Sequence, residues 1–197
     1  MAVPIVTSLG AVAFAFGLAR WVFAQDEGTK EMQRVAGFIF AGAQAFLRRQ
    51  YQTIAILSLV AAVVIGALLA LVSGLSSKGG AFDFTIVWQT ALSFLIGAAC
   101  SGAAGFIGMQ VAVRSNVRVA SAAQRSLGQA LVVALRGGAV TGFLVIALSL
   151  LGVTLVFIAF GGLDPAKAVN VPQNIVGFGF GASFVALFAQ LGGGIYT

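Results

Sequence analysis

The chain has 197 residues, of which 60% are hydrophobic and only 8% charged, against roughly 25% charged residues in a soluble domain; a soluble globular fold is excluded. The uncharged runs 54–72 and 85–113 are each long enough, as a helix, to cross the hydrocarbon of a bilayer, and they lack the alternation a β-barrel requires. The net charge of +6 comes from eleven basic residues scattered between apolar runs, with no basic–aromatic cluster to carry nucleic acid.

The expected fold is all-α, a polytopic bundle of transmembrane helices, and five spans are read at 3–24, 51–72, 85–113, 137–160 and 174–197. The first has no basic residue before Arg20, the wrong flank for a cleaved signal peptide, so it is read as a retained span. Arg20 can snorkel at its end and Trp21 suits the interface. After the polar turn 25–30, Thr29 is placed to cap a helix with Glu31 and Gln33 in its first turn. The segment 35–47 is too short to span. Its apolar residues Val35, Phe38, Ile39 and Phe46, with Gly42, keep helical spacing, so it reads as an extension running straight into the second span.

A Gly/Ser-rich turn is expected at 74–80, with Asp83 capping the third span. That span carries Gly97, Ser101 and Gly105 four residues apart, a small-residue ridge for close helix packing. Cys100 lies mid-span and reads as a small packing residue. The stretch 114–129 is polar and basic, with Arg114, Arg118 and Arg125 at helical spacing. It reads as a solvated helical loop, an anion-facing or lipid-facing patch being the weaker alternative. Leu163-Asp164-Pro165 marks a turn or a short helix start, and Asn170-Val171-Pro172 leads into the fifth span.

The closing stretch, GFGFGASFVALFAQLGGGIYT, is apolar but carries a polar stripe. Ser183, Gln190 and Thr197 lie seven residues apart and share one helix face with Gly179, Ala186 and Gly193 or Gly194. Such a stripe should face protein or water rather than lipid. Close helix packing would explain it; so would the wall of a conduction path. The glycines at 177, 179 and 181 lie inside an apolar span, not between a strand and a helix, so they are no dinucleotide fingerprint. No Lys-Ser or Lys-Thr follows the triple glycine as a phosphate loop requires.

No carboxylate lies deep in any span, although an ion pump needs one, and the five acids form no cluster suited to Mg²⁺ or general-base work. There is no histidine, and no zinc-type spacing. Lys and Arg divide nine to two between alternate loops: Arg20, Lys30, Arg34, Arg48, Arg49, Arg114, Arg118, Arg125 and Arg136 against Lys78 and Lys167. By the positive-inside rule the first and third loops are cytoplasmic, the N-terminus is outside and residue 197 lies at a cytoplasmic end.

Several stretches resemble one family. Gly42 followed by Ala43-Gln44-Ala45-Phe46-Leu47-Arg48-Arg49-Gln50-Tyr51 is similar to the GA-x-AFL-x-RQY signature of membrane-bound ion-pumping pyrophosphatases. The stretch 97–118, with Gly105-Phe106-Ile107-Gly108-Met109 and Asn116-Val117-Arg118, resembles that family's third span and following loop. Ala134-Leu135-Arg136-Gly137-Gly138-Ala139-Val140 resembles the approach to its fourth span, and the closing stretch is the most specific match of all.

The resemblance covers essentially the whole chain. It implies a sixteen-span helical homodimer that hydrolyses inorganic pyrophosphate on the cytosolic side with Mg²⁺, in some members also with K⁺, and pumps H⁺ or Na⁺ outward. It implies a bacterial plasma membrane location, and that this chain is an N-terminal quarter to third, inactive alone, cut before the Lys, Asp and Glu run that binds Mg-pyrophosphate. Gln190 stands where many members carry an Arg of the ionic gate, and Ser183 lies along the same region. The Gln keeps hydrogen-bonding capacity but not the fixed charge. No catalytic residue or metal ligand is expected within these residues. The rival expectations are a standalone small membrane scaffold or helper, and a sodium-pumping member of the same family.

Overall fold

The computed structural model describes residues 2–76, 84–166 and 168–196. Five α-helices, α1 (Ala2–Phe23), α2 (Lys30–Ser76), α3 (Phe84–Ala123), α4 (Leu127–Ala159) and α5 (Val171–Tyr196), account for the regular structure among those residues. All five contain stretches long and apolar enough to cross a membrane. Asp83, Lys78, Lys167 and Thr197 lie outside the described residues.

The helix ends follow local chemistry. The Gly28 backbone turns with a positive φ of 76°, a conformation glycine adopts without strain. The Met32 amide then donates to Thr29 Oγ1 at 3.3 Å, and the Gln33 amide side chain reaches back to the Gly28 carbonyl. Thr29 is thus the cap of α2, as its sequence suggests. From there α2 runs unbroken for 47 residues, about 70 Å at 1.5 Å per residue. The extension 35–47 and the second span form one helix, and α2 continues through Ser76, so 74–76 are helical where a turn is expected; residues 77–80 lie outside the described residues. Ser126 caps α4, accepting from the Gln129 amide at 3.2 Å. The Asp164 carboxylate accepts from the Ala166 amide at 3.0 Å; the segment 160–166 forms turns and no helix starts there.

Contacts divide the chain into two units, Met1–Gln50 with Ala103–Leu148 and Tyr51–Gly102 with Ser149–Thr197. In the first, α1 packs on α3 and α4. One cluster joins Ala15, Val111, Val140 and Leu144, and a second joins Val22, Ala122, Ala130 and Val133. Small residues set the spacing: a Cβ on Gly108 would collide with Thr141, and one on Gly137 would crowd Ser115.

In the second unit, α5 lies against α3 at near-backbone distance. A Cβ on Gly177 would overlap the Thr90 carbonyl oxygen, one on Gly181 that of Phe94, and one on Gly97 that of Phe178. Two apolar clusters complete the contact: Val156, Phe160, Val171 and Phe178, and Ile54, Ala98 and Val185. Cys100 packs partly buried against the first of these, as its place in the span suggests. Lipid tails are as apolar as these side chains, so the association rests on close contact and on hydrogen bonds between helices.

Candidate functional site

The fifth helix presents two different faces. The face holding Gly177, Phe178, Gly181 and Val185 is buried against its unit. Ser183, Ala186 and Gln190 lie on the opposite face and are exposed, and Gly179 on that side has open space around it. The tight packing therefore uses the glycines at 177 and 181, not the polar stripe. Close packing among the described residues does not explain Ser183 and Gln190.

One polar contact inside the helices was not singled out in the sequence. The Asn174 amide donates to Gln89 Oε1 at 2.5 Å, joining α5 to α3 with both residues buried. Gln89 lies inside the uncharged run 85–113 and Asn174 at the head of the fifth span, and an amide in such a place is the signal that could have marked them. Ser93, one turn below Gln89 on α3, is wholly buried, and its hydroxyl has no hydrogen-bond partner among the described residues.

In the first unit the turn between α1 and α2 is fastened to α3. Arg118 donates to Glu27 Oε1 at 2.6 Å, to the Phe23 carbonyl at 3.2 Å and to the Arg114 carbonyl at 2.6 Å. Asp26 accepts from the Ser121 hydroxyl at 3.2 Å and from Arg125 at 3.1 Å. The Gly28 amide, bonded to the Asp26 carboxylate at 3.0 Å, holds that carboxyl below its ordinary range; desolvation opposes it, while Ser121 and Arg125 add to the lowering. The solvated reading of 114–129 thus needs correction at Arg118, which is 8% exposed. A nearby carboxylate and two carbonyls answer its charge, and they make burial tolerable.

Chemically, this clasp is a fastening rather than a reaction centre. Both its carboxylates are engaged by arginines. No group of three or more His, Cys, Asp or Glu side chains that could hold a metal ion occurs among the described residues. The donors here do not fit Mg²⁺.

A family model described as inorganic H+ pyrophosphatase matches residues 9–197. The chain is 53% identical over 197 residues to the K(+)-insensitive pyrophosphate-energized proton pump 2 of Moorella thermoacetica, covering 98% of this chain and 26% of that protein. It is 51% identical over 183 residues to the K(+)-insensitive pyrophosphate-energized proton pump of Caldanaerobacter subterraneus subsp. tengcongensis, covering 92% and 26%. It is 42% identical over 188 residues to the pyrophosphate-energized membrane proton pump 3 of Arabidopsis thaliana, covering 91% and 23%. The chain thus spans about a quarter of the length of these relatives. A match running through five apolar helices and nearly every residue leaves one assignment: this chain belongs to the inorganic H+ pyrophosphatase family, as an integral, multi-pass membrane protein.

Proposed function

We propose that the chain is the N-terminal quarter of a pyrophosphate-energised proton pump, a membrane hydrolase that couples cleavage of inorganic pyrophosphate to outward movement of H⁺. The observation that carries this is the family match over 9–197, together with relatives above 50% identity named as proton pumps. Those two names also say K(+)-insensitive, which supports hydrolysis that proceeds without K⁺. Mg²⁺ bound to pyrophosphate by residues beyond this quarter, and a homodimeric whole, complete the reading.

The loop charges support an outside N-terminus and a bacterial plasma membrane location, with the clasp of Asp26, Glu27, Arg118 and Arg125 on the cytoplasmic side. In that orientation α5 leads toward the cytosol at its C-terminal end. Its outward stripe, Ser183 and Gln190, lines the ion path and takes part in gating through neutral hydrogen bonds rather than a fixed charge. The exposed setting of both residues supports the role.

The test uses the full-length protein in sealed vesicles, with pyrophosphate hydrolysis and internal acidification measured with and without K⁺ and Na⁺. Pyrophosphate-driven acidification that needs Mg²⁺ but neither alkali ion is the expected result. Sodium uptake in place of acidification would move the chain to the sodium-pumping branch, and absence of hydrolysis would overturn the enzyme reading.

A further inference from the structure

The contact between α1 and α4 in the first unit has a cation at one level and a pair of aromatic rings at another. Arg136 lays its guanidinium over the Trp21 ring, 3.9 Å from Cζ to the centroid. Phe14 meets Phe143 edge-on with centroids 4.9 Å apart. Phe14 and Phe143 each lie seven residues from Trp21 and Arg136, on the same faces of two antiparallel helices. The two contacts are therefore two turns apart, about 10 Å along the seam. The seam is open: Phe14 is 54% and Phe143 36% exposed, and Arg136 is exposed too; Arg20, next to Trp21 in the chain, is exposed and lies over the Phe16 ring of its own helix, 5.9 Å from Cζ to the centroid.

The charge along this seam is unbalanced. Among the described residues the carboxylates of the first unit's ion pairs go to Arg118 and Arg125, and none pairs with Arg136 or Arg20. Beside the Trp21–Arg136 stack lies a cavity of about 260 Å³ lined by Trp21, Gln25, Arg118, Arg125 and Gln129, with Val132 and Val133 among its apolar walls and no acidic residue. Arg118 is nine-tenths buried and its Nε has no hydrogen-bond partner among the described residues.

We propose that this seam binds an anionic phospholipid, with its phosphate at Arg136 and Arg20, its headgroup in the cavity and its acyl chains along Phe14 and Phe143. Stacking on Trp21 fixes the Arg136 plane and leaves its N–H edge for a two-pronged contact with phosphate. The aromatic rings two turns deeper match acyl chains, which free phosphate does not have. A zwitterionic headgroup would bring its own ammonium toward Arg136, which has no carboxylate partner among the described residues. A further helix laid over the seam would have to bring a carboxylate of its own to answer those charges.

The test takes the full-length protein in nanodiscs of mixed phosphatidylglycerol and phosphatidylcholine and counts co-purifying lipids by native mass spectrometry. Wild type retains phosphatidylglycerol preferentially. Arg136→Gln lowers that retention about fivefold and Arg20→Gln/Arg136→Gln by about the square of that, while Arg136→Lys keeps most of it. Excess inorganic phosphate leaves the lipid bound, and a photoreactive side chain at position 143 labels lipid. No preference in wild type, an unchanged preference in the double variant, displacement by phosphate, or labelling of protein instead of lipid would each overturn the proposal. The readout is lipid retention, so its failure leaves the pump reading standing.

Discussion

A guanidinium that is nine-tenths buried needs its charge answered close by, and Arg118 finds Glu27 at 2.6 Å with the Phe23 and Arg114 carbonyls beside it. Glu27→Ala removes the counterion and leaves the cation in place. Glu27 is 45% exposed at its side chain, so the cost falls below that of a fully buried pair, about 1–3 kcal/mol; a melt of the full protein in detergent with an unshifted midpoint would refute it. Asp26 carries the pH dependence of the same clasp. Its carboxyl is held below the ordinary value, so its contribution is complete above about pH 3.9 and is lost as pH falls through the lower folded value. The protection of the Gly28 amide, its exchange rate relative to the intrinsic rate at each pH, should fall over that acid window, and Asp26→Asn should abolish the pH dependence of that protection. If Gln190 lines an ion path as proposed, Gln190→Leu in the full-length protein should cut pyrophosphate-driven acidification about tenfold, the worth of one hydrogen bond, with expression unchanged; normal acidification would refute that role. At this scale Thr29 was legible because a cap is settled by three or four neighbouring residues. Arg118 was not, because its counterion sits 91 residues away.

Among the elements, α3 and α5 show the strongest pairing. Their backbones approach so closely at Gly97, Gly177 and Gly181 that a single methyl would meet a carbonyl oxygen, and the Gln89–Asn174 bond ties the same two helices. Gln89→Leu strands the Asn174 amide and should destabilise the full protein by about 1–3 kcal/mol. Gln89→Leu/Asn174→Leu removes both polar groups and should recover much of the loss, and a double-mutant cycle measures the coupling. Additive effects in that cycle would show that the two side chains do not act as a pair. The small-residue ridge at Gly97 was legible as a packing surface, and Gly97 does pack. The partner ridge was not. The glycine run 177–181 fits two faces of α5, and only contact with α3 shows that Gly177 and Gly181 face inward while Gly179 stays open. Likewise the break between α3 and α4 falls at 124–126, well past the point where the apolar run ends, because helix hydrogen bonding continues through polar sequence once a clasp holds it.

For the whole molecule, the five helices long and apolar enough to cross a membrane among the described residues were legible from their apolar runs, because backbone polar groups in hydrocarbon must be satisfied within the segment or in a closed barrel, and these runs do not alternate as barrel strands do. The sidedness drawn from loop charge has its own check. A cysteine placed at Asp26 should react only with reagent supplied from the cytoplasm, and one placed at Leu163 only with reagent supplied from outside, in a Cys100→Ala background. Reversal of the two would invert the orientation and remove the cytosolic setting of the clasp. The stripe of Ser183 and Gln190 could be seen in the sequence but its surroundings could not, since a heptad of polar residues fixes a face and leaves open what that face meets.

The Gln89–Asn174 pair also bears on how the protein is made. Synthesis proceeds from the N-terminus, so α3 reaches the bilayer while Asn174 is still untranslated. Gln89 must then wait in the membrane, or at the insertion machinery, with its amide lacking the partner it will have in the finished fold. When α5 arrives, Asn174 can leave the aqueous channel at lower cost by meeting that waiting amide than by entering lipid alone. The fifth helix is thereby recruited by the third, and a slow or mistimed insertion of α5 would leave the Gln89 amide without its partner in the nascent chain.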